Sequence, residues 1–255
     1  MKKVILSGTK TLTEVKNDFS LNFCPVCVNG TSRLAQMIKF FEDSEETKDI
    51  AIELNGRILP DMLASDYNHL GVLMHAMYRM SVKMGWFNIT ANVKVNDIPY
   101  MNTMIYEETQ YPGCATKAAN LLTQIEDYEA GLTLKRDKSL ILCVPKFKKD
   151  DAWINDFIRK RTGNIKYAYG NLAAFIASFK LSMWIGSTDP KRGTCSEEGA
   201  ESCKIIAKHL IENITPEDPL WYDFYSAFEN SYEIAPVHFL LHPDLFEYYL
   251  IIEEE

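Results

Sequence analysis

The stretch Gly193-Thr194-Cys195-Ser196-Glu197-Glu198 decides how this sequence of 255 residues is interpreted. Residues 186–190, just ahead of it, have the composition of a loop. Behind it, apolar residues recur at helical spacing, at Ala200, Cys203, Ile206, Ala207 and Leu210. The pattern therefore predicts an amphipathic helix that begins at Cys195 and ends near Asn213.

A cysteine at the start of a helix has a chemical consequence. Unpaired backbone N–H groups and the positive end of the helix dipole favour negative charge there, and the thiolate is the nucleophilic form of cysteine. We interpret Cys195 as a catalytic nucleophile or as the remnant of one. The acidic pair Glu197 and Glu198 opposes a thiolate, so both interpretations stay open at this point.

The composition argues against several classes of protein. The net charge is -8 and no run of Lys or Arg dominates, so nucleic acid is not expected as a partner. No apolar run approaches the roughly 20 residues of a membrane span. Residues 4–6 are too short for the apolar part of a secretory leader, so we expect synthesis in the cytoplasm. The six cysteines do not suit a disulfide scaffold in a chain of this length, and most are expected to be reduced.

The order of patterns predicts one α+β domain over residues 1–255, with a small, mostly antiparallel sheet. Residues 1–30 are expected as an N-terminal extension, with residues 7–22 irregular, and residues 221–255 as an aromatic C-terminal extension that packs on the body. Strands are predicted at 3–6, 50–54, 69–74, 86–97, 104–108 and 139–144, with a hairpin turn at Asn55-Gly56. Helices are predicted from residue 31 to 41 and at 115–129, 150–161, 168–184, 195–213 and 222–228.

A thiol nucleophile needs a base within hydrogen-bond reach and a third group that orients the base. Among the five histidines, His69 follows a polar loop and opens a strand, which predicts a position at one end of a sheet. His209 lies on the same predicted helix as Cys195 but about 20 Å along it, at about 1.5 Å per residue. Glu107 and Glu108 face opposite sides of a predicted neighbouring strand, and either could orient an imidazole.

Several short motifs, taken in chain order, are similar to those of one known family. They are Ser32–Phe41, Ile58–Met62, Asn68–Leu73, Met104–Glu107, Gly163–Tyr167, Cys195–Glu197 and Ile214–Asp218. Together they resemble the circularly permuted papain-like proteins of the NlpC type (YaeF/YiiX-like), in which the histidine precedes the cysteine. The resemblance covers about residues 31–220.

This resemblance implies a permuted papain-like fold, in which a small sheet packs against the helix that carries Cys195. It implies Cys195 as nucleophile, His69 as base, Glu107 as the acid that orients the base, and Tyr167 as a substrate contact. The implied enzyme is a cysteine amidase or peptidase that needs no cofactor. Its substrate would be a peptide, a peptidoglycan or a lipid-like acyl compound. The alternative is a catalytically silent copy of the fold that serves as a structural or binding component, for example with assembly partners in a phage particle.

The pair Cys24-x-x-Cys27 is a competing signal, because two thiols at this spacing resemble half of a zinc site. It supports a third, weaker hypothesis of a metal-linked or redox-linked protein. A structural zinc site needs four ligands, and the sequence has no second pair at this spacing. We therefore expect no metal site.

Overall fold

The computed structural model describes residues 2–29, 47, 49–77, 81–83, 88–90, 94–95, 98–99, 101–110, 118–124, 139–147, 166–167, 192–214, 218–231 and 234–252. The helices are α1 (Leu12–Asn17), α2 (Cys195–Asn213) and α3 (Pro219–Ala227), with 3-10 turns at Phe19–Leu21, Ala64–Asp66 and Pro236–Leu241. The strands are β1 (Lys3–Leu6), β2 (Gly8–Thr11), β3 (Pro25–Asn29), β4 (Ala51–Leu54), β5 (Arg57–Leu63), β6 (Tyr67–Met77), β7 (Ser81–Lys83), β8 (Asn88–Thr90), β9 (Lys94–Val95), β10 (Ile98–Pro99), β11 (Met101–Gln110), β12 (Ala118–Gln124), β13 (Leu140–Pro145), β14 (Lys166–Tyr167), β15 (Arg192–Gly193) and β16 (Phe246–Ile252). The predicted helices at 31–41, 150–161 and 168–184 lie outside the described residues.

One large sheet dominates the described part of the chain. Its strand order is β15-β14-β12-β11-β6-β3-β13-β16-β2. Neighbouring strands are antiparallel except at the two ends, where β14 pairs with β15 and β16 with β2 in parallel. The α+β class and the mostly antiparallel sheet are confirmed. The expected small size is wrong, because a sheet of nine strands forms.

A second sheet of three strands, β1-β4-β5, contains the predicted hairpin. Its turn places Asn55 at φ 52° and Gly56 at φ 77°. Both residues therefore lie in the left-handed region, as a tight two-residue hairpin turn requires. The Asn-Gly pair alone was enough to predict this turn.

One prediction of local structure is wrong. Residues 115–129 were expected to be helical, yet Ala118–Gln124 forms β12, which pairs along its whole length with β11. Within 86–97, expected as one strand, the described residues form β8 and β9, and the other positions lie outside the described ranges. In β12 the pairing with β11 overrides the helical spacing of the apolar residues, because pairing with a neighbouring strand outweighs local propensity.

Segments near both ends of the chain contribute strands to the large sheet, namely β2 and β3 at one end and β16 at the other. β3 lies between β6 and β13, so residues expected to form an N-terminal extension supply a central strand instead. Residues 7–22 were expected to be irregular, but they contain β2 and α1, and Thr11 and Glu14 form a capping box for that helix. At the other end, β16 pairs with β13, as expected for a C-terminal segment that packs on the body.

The large sheet has a hydrophobic core on each face. We call them the α2-side core and the α1-side core. The α2-side core includes Cys27, Leu70, Val72, Ile141, Cys143, Ala200, Cys203, Phe228, Phe239 and Phe246. The α1-side core includes Leu12, Val15, Cys24, Val26, Val28, Leu73, Leu140 and Leu142. Alternate residues of β3, β6 and β13 enter opposite cores, as the two-residue period of a strand requires.

Helix α2 lies directly on β6, and a glycine allows this contact. A Cβ built on Gly199 would overlap Leu70 Cδ2 and would lie 3.4 Å from Leu70 Cγ and 3.7 Å from Phe239 Cζ. Leu70 is fully buried, so its side chain has little room to move away. The close approach of helix and strand therefore depends on the absence of a side chain at residue 199.

We expect Gly199→Ala to destabilise the protein by up to about 2 kcal/mol. Overpacking costs about 1–3 kcal/mol, and a gain of about 1 kcal/mol in helix propensity offsets part of this cost. Urea unfolding checks this, with Gly8→Ala as the control, because a Cβ at Gly8 would meet only Tyr249 at 3.8 Å. In a Leu70→Ala background the penalty should disappear. A penalty that is unchanged in that background would contradict the steric explanation.

The C-terminal aromatic residues form a packed cluster under α3. Phe224 lies 4.8 Å from Phe147 and 5.1 Å from Phe228, and Phe228 stacks on Phe239 at 4.8 Å between ring centroids. The rings of Phe228 and His242 are 5.8 Å apart. The buried rings among residues 221–255 thus pack on the body, as expected for this aromatic segment.

The cluster also predicts a dependence of stability on pH. Burial lowers the pKa of His242 below its ordinary value of 6.5, and the opposing effect of Asp244 is smaller. As the pH falls, His242 therefore becomes protonated in the unfolded chain at a higher pH than in the folded protein. Its titration should lower the free energy of unfolding from about pH 6.5 downward. Urea unfolding of wild type and His242→Gln between pH 7.5 and 5 checks this. The variant should lose less stability over this range, and equal losses would contradict the prediction.

Within the described ranges, we find no helix that is both long enough and apolar enough to cross a membrane.

Candidate active site

Cys195 is the first residue of α2, as the sequence predicts. Thr194 is the N-cap, and its hydroxyl accepts a hydrogen bond from the Glu197 N–H at 3.4 Å. The Glu197 carboxylate accepts a hydrogen bond in return from the Thr194 N–H at 2.5 Å. This reciprocal capping box fixes where the helix begins and therefore where Cys195 lies.

The capping box gives Glu197 a structural role, although the sequence suggested that this residue would oppose a thiolate at Cys195. The Glu197 carboxylate is directed back to the Thr194 backbone N–H, where it satisfies a donor that would otherwise be unpaired. The Glu198 N–H donates to the Thr194 carbonyl. None of these three bonds uses the backbone N–H of Cys195, and an N–H in the first turn of a helix is a natural donor to an oxyanion.

The Cys195 side chain itself is buried, at 4% exposure. It is not part of a disulfide, and no hydrogen bond joins its thiol to any residue in the described part of the chain. The next three residues, Ser196, Glu197 and Glu198, are also buried. The first turn of α2 is thus a polar segment enclosed within the protein.

Strand β14 brings Tyr167 next to the chain that leads into α2. Tyr167 pairs with Gly193 in the parallel β14–β15 ladder, and Gly193 lies two residues before Cys195. The backbone of Tyr167 therefore lies beside the segment that leads into α2.

The register of the strands places His69 and Glu107 at the end of the sheet where β14 carries Tyr167. Lys166 of β14 pairs with Ala119 of β12, and Ala119 pairs with Thr109 of β11. Continuing the β11–β6 register, in which Glu107 pairs with Gly71, sets Thr109 level with His69. Glu107 and His69 are therefore diagonal neighbours on one face of adjacent strands, about 7–8 Å apart between Cα atoms.

The side chain of His69 is on the face of the sheet opposite to α2. His69 pairs with Val28, which belongs to the α1-side core, whereas the adjacent Leu70 contacts Gly199 of α2. Paired residues share a face and successive residues alternate. The structure therefore brings the backbones of the predicted triad to one end of the sheet but does not join His69 to the Cys195 thiol.

Two of the other histidines, His238 and His209, have structural contacts. His238 Nδ1 accepts a hydrogen bond from the Ala235 N–H at 3.0 Å, and this bond closes the start of a 3-10 turn. His209 Nδ1 lies 3.2 Å from the Asn213 amide on the far part of α2. Neither contact involves Cys195, so these histidines offer no replacement for His69 as the base.

Cys24 and Cys27 do not form a joint site. Cys24 belongs to the α1-side core and Cys27 to the α2-side core, because they lie on opposite faces of the sheet. Among the residues that the structure describes, no group of three or more His, Cys, Asp and Glu side chains could hold a metal ion. The hypothesis of a zinc site on this pair therefore has no geometric support.

Sequence reasoning missed the capping box that positions Cys195. The spacing Thr194-x-x-Glu197 is a recognisable sequence signal for a helix N-terminus, and it would have assigned Glu197 to the backbone rather than to the thiol. Sequence reasoning also missed that Leu70, and not His69, faces α2. The reason differs, because helix α2 is distant in sequence from the strand that contains both residues.

Comparison with known proteins identifies no relative: no family model matches the chain, and no curated protein or solved structure matches it either.

Proposed function

We propose that this protein is a cysteine hydrolase, an amidase or peptidase of permuted papain-like fold, with Cys195 as its nucleophile. The observation that carries the proposal is the position of Cys195. It is the first residue of a long helix that packs on β6 and β11, the two strands that contain His69 and Glu107. A helix N-terminus favours the thiolate form of Cys195, whereas the His69 side chain faces the other side of the sheet and must turn to the α2 face to act as the base.

The proposed reaction is acyl transfer. His69 removes the proton from Cys195, and the thiolate attacks the carbonyl carbon of an amide or acyl ester. The Cys195 N–H donates a hydrogen bond to the resulting oxyanion, and His69 returns the proton to the leaving amine or alcohol. Water then hydrolyses the thioester. Glu107 holds the imidazole in the required orientation, and Tyr167, next to Gly193, contacts the substrate.

The substrate class follows from this chemistry rather than from a binding site. A thiolate and one oxyanion donor suit amides in peptides or peptidoglycan, and acyl esters of lipid-like compounds. Within the proposal, Tyr167 is the substrate contact, because its backbone pairs with Gly193 just ahead of Cys195.

Alkylation by iodoacetamide at neutral pH tests the proposal. We expect Cys195 to react at least about tenfold faster than Cys203, a buried cysteine on the same helix that serves as the internal control. His69→Ala should slow the labelling of Cys195 and leave that of Cys203 unchanged. Peptide mass spectrometry over time gives the rate at each site, and equal rates at all six cysteines would overturn the proposal.

A second candidate function is a catalytically silent papain-like domain that acts as a structural or binding component, for example of a phage particle. Two observations favour it: the Cys195 thiol is buried without a hydrogen-bond partner among the described residues, and His69 lies on the other face of the sheet. Under this candidate, His69→Ala leaves the labelling rate of Cys195 unchanged, and Cys195→Ala preserves every binding property of the protein.

A further inference from the structure

Two buried thiols that the proposed chemistry does not use lie in contact in the α2-side core. Cys27 Sγ and Cys143 Sγ are 3.8 Å apart, and both side chains are fully buried. Cys27 lies on β3 and Cys143 on β13, which are antiparallel neighbours with Cys27 paired to Ile141. Cys143 is two residues beyond Ile141, so the two cysteines are diagonal neighbours on one face of the sheet.

We propose that Cys27 and Cys143 are a redox-active dithiol that closes to a disulfide between β3 and β13 when the protein meets a peroxide. The sulfur atoms are at contact distance and need to approach by about 1.8 Å to reach a bond length near 2.0 Å. Diagonal neighbours lie about 7–8 Å apart between Cα atoms, beyond the usual range of about 4.4–6.8 Å for a disulfide, so closure needs rotation of both side chains about χ1 together with a small shift of β3 towards β13. The bond would join residues 116 positions apart in the chain.

The step balances with hydrogen peroxide as the only co-reactant. One thiol, as its thiolate, attacks a peroxide oxygen and becomes a sulfenic acid, while the other oxygen leaves as water. The second thiol attacks the sulfenic sulfur, and a second water leaves as the disulfide forms. The two thiols lose two electrons and two protons, and the peroxide is reduced to two waters. A peroxide molecule is small, so only a local opening of the core is needed for it to enter.

Burial and the neighbouring Cys27 raise the pKa of the Cys143 thiol, which keeps Cys143 protonated at neutral pH. Cys27 Sγ also lies 3.7 Å from the Pro236 carbonyl oxygen, in the 3-10 turn that covers this part of the sheet. Movement of that turn would expose the sulfur of Cys27 first. We therefore assign Cys27 as the thiol that reacts with peroxide and Cys143 as the thiol that closes the bond.

The test is treatment of the folded protein with hydrogen peroxide, followed by alkylation in denaturant and peptide mass spectrometry without reduction. We expect a peptide pair linked through Cys27 and Cys143 that has lost the mass of two hydrogen atoms. Cys24→Ser, on the other face of the sheet, and Cys203→Ser, in the same core, should leave the yield of this link unchanged. Cys143→Ser should remove the link and leave Cys27 as a trappable sulfenic acid.

Two outcomes would overturn the proposal. One is a link from Cys27 to Cys203 or to any other cysteine in place of Cys143. The other is folded protein that keeps all its thiols under peroxide while the same chain in denaturant oxidises. The Cys27→Ser variant separates this inference from the proposed hydrolase, since it removes the link without touching Cys195.

Discussion

Cys195→Ala should abolish hydrolysis of any substrate that the wild-type protein cleaves, with kcat lowered by about 10⁴-fold or more. The reason is that the proposed reaction passes through a thioester on this sulfur, and only substrate binding and the oxyanion donor remain in the variant. A screen of peptide, peptidoglycan fragment and acyl-ester substrates, run with both proteins side by side, measures the loss. The same screen identifies the substrate class.

Cys203→Ala is the matched control for this experiment. It removes a thiol from the same helix, in the α2-side core, so any effect of cavity formation on folding appears in both variants. Circular dichroism should show that both variants are folded. Hydrolysis that survives in folded Cys195→Ala would contradict the assignment of the nucleophile, and activity lost equally in both variants would point to a folding defect instead.

Phe228→Ala should destabilise the protein by about 3–5 kcal/mol, the largest stability effect that we expect from a single substitution here. Phe228 is fully buried and its ring contacts Phe224, Phe239, His242 and Phe246. Removing the ring leaves a cavity where α3, the last 3-10 turn and β16 meet. Urea unfolding monitored by circular dichroism gives the change in the free energy of unfolding.

Tyr222→Ala provides the comparison for Phe228→Ala. Tyr222 lies on the outer face of α3 and is 47% exposed, so its loss should change the free energy of unfolding by less than about 0.5 kcal/mol. The two substitutions differ mainly in burial. If Phe228→Ala costs no more than Tyr222→Ala, the aromatic cluster does not stabilise the C-terminal part of the fold as the structure implies.

Local signals in the sequence predicted the elements whose causes are local. The helix that begins at Cys195 follows from its apolar spacing, and its capping box adds a hydrogen-bonded start. The hairpin at Asn55-Gly56 follows from the conformational freedom of those two residues, which only a few residue types share. The strand from residue 140 follows from a short, continuous apolar run. These features need no information from distant parts of the chain.

The errors arose where distant pairing decides the outcome. The apolar residues of 115–129 fit helical spacing, but β11 on one side and β14 on the other provide partners that make Ala118–Gln124 a strand. The first thirty residues look like an extension, but β3 is inserted between β6 and β13. Whether such a segment becomes a strand of the sheet depends on partners distant in the sequence, because the hydrogen bonds between strands are non-local.

For the candidate site, the sequence alone determined that Cys195 begins a helix, because the apolar spacing and the capping residues that start this helix lie within a few positions of the cysteine. Only the tertiary structure decided which face of the sheet receives that helix. The contact between Gly199 and Leu70 places α2 on one face, and strand alternation then places His69 on the other. Local spacing specifies a helix, whereas the face on which it packs depends on which side chains of a distant strand leave room for it.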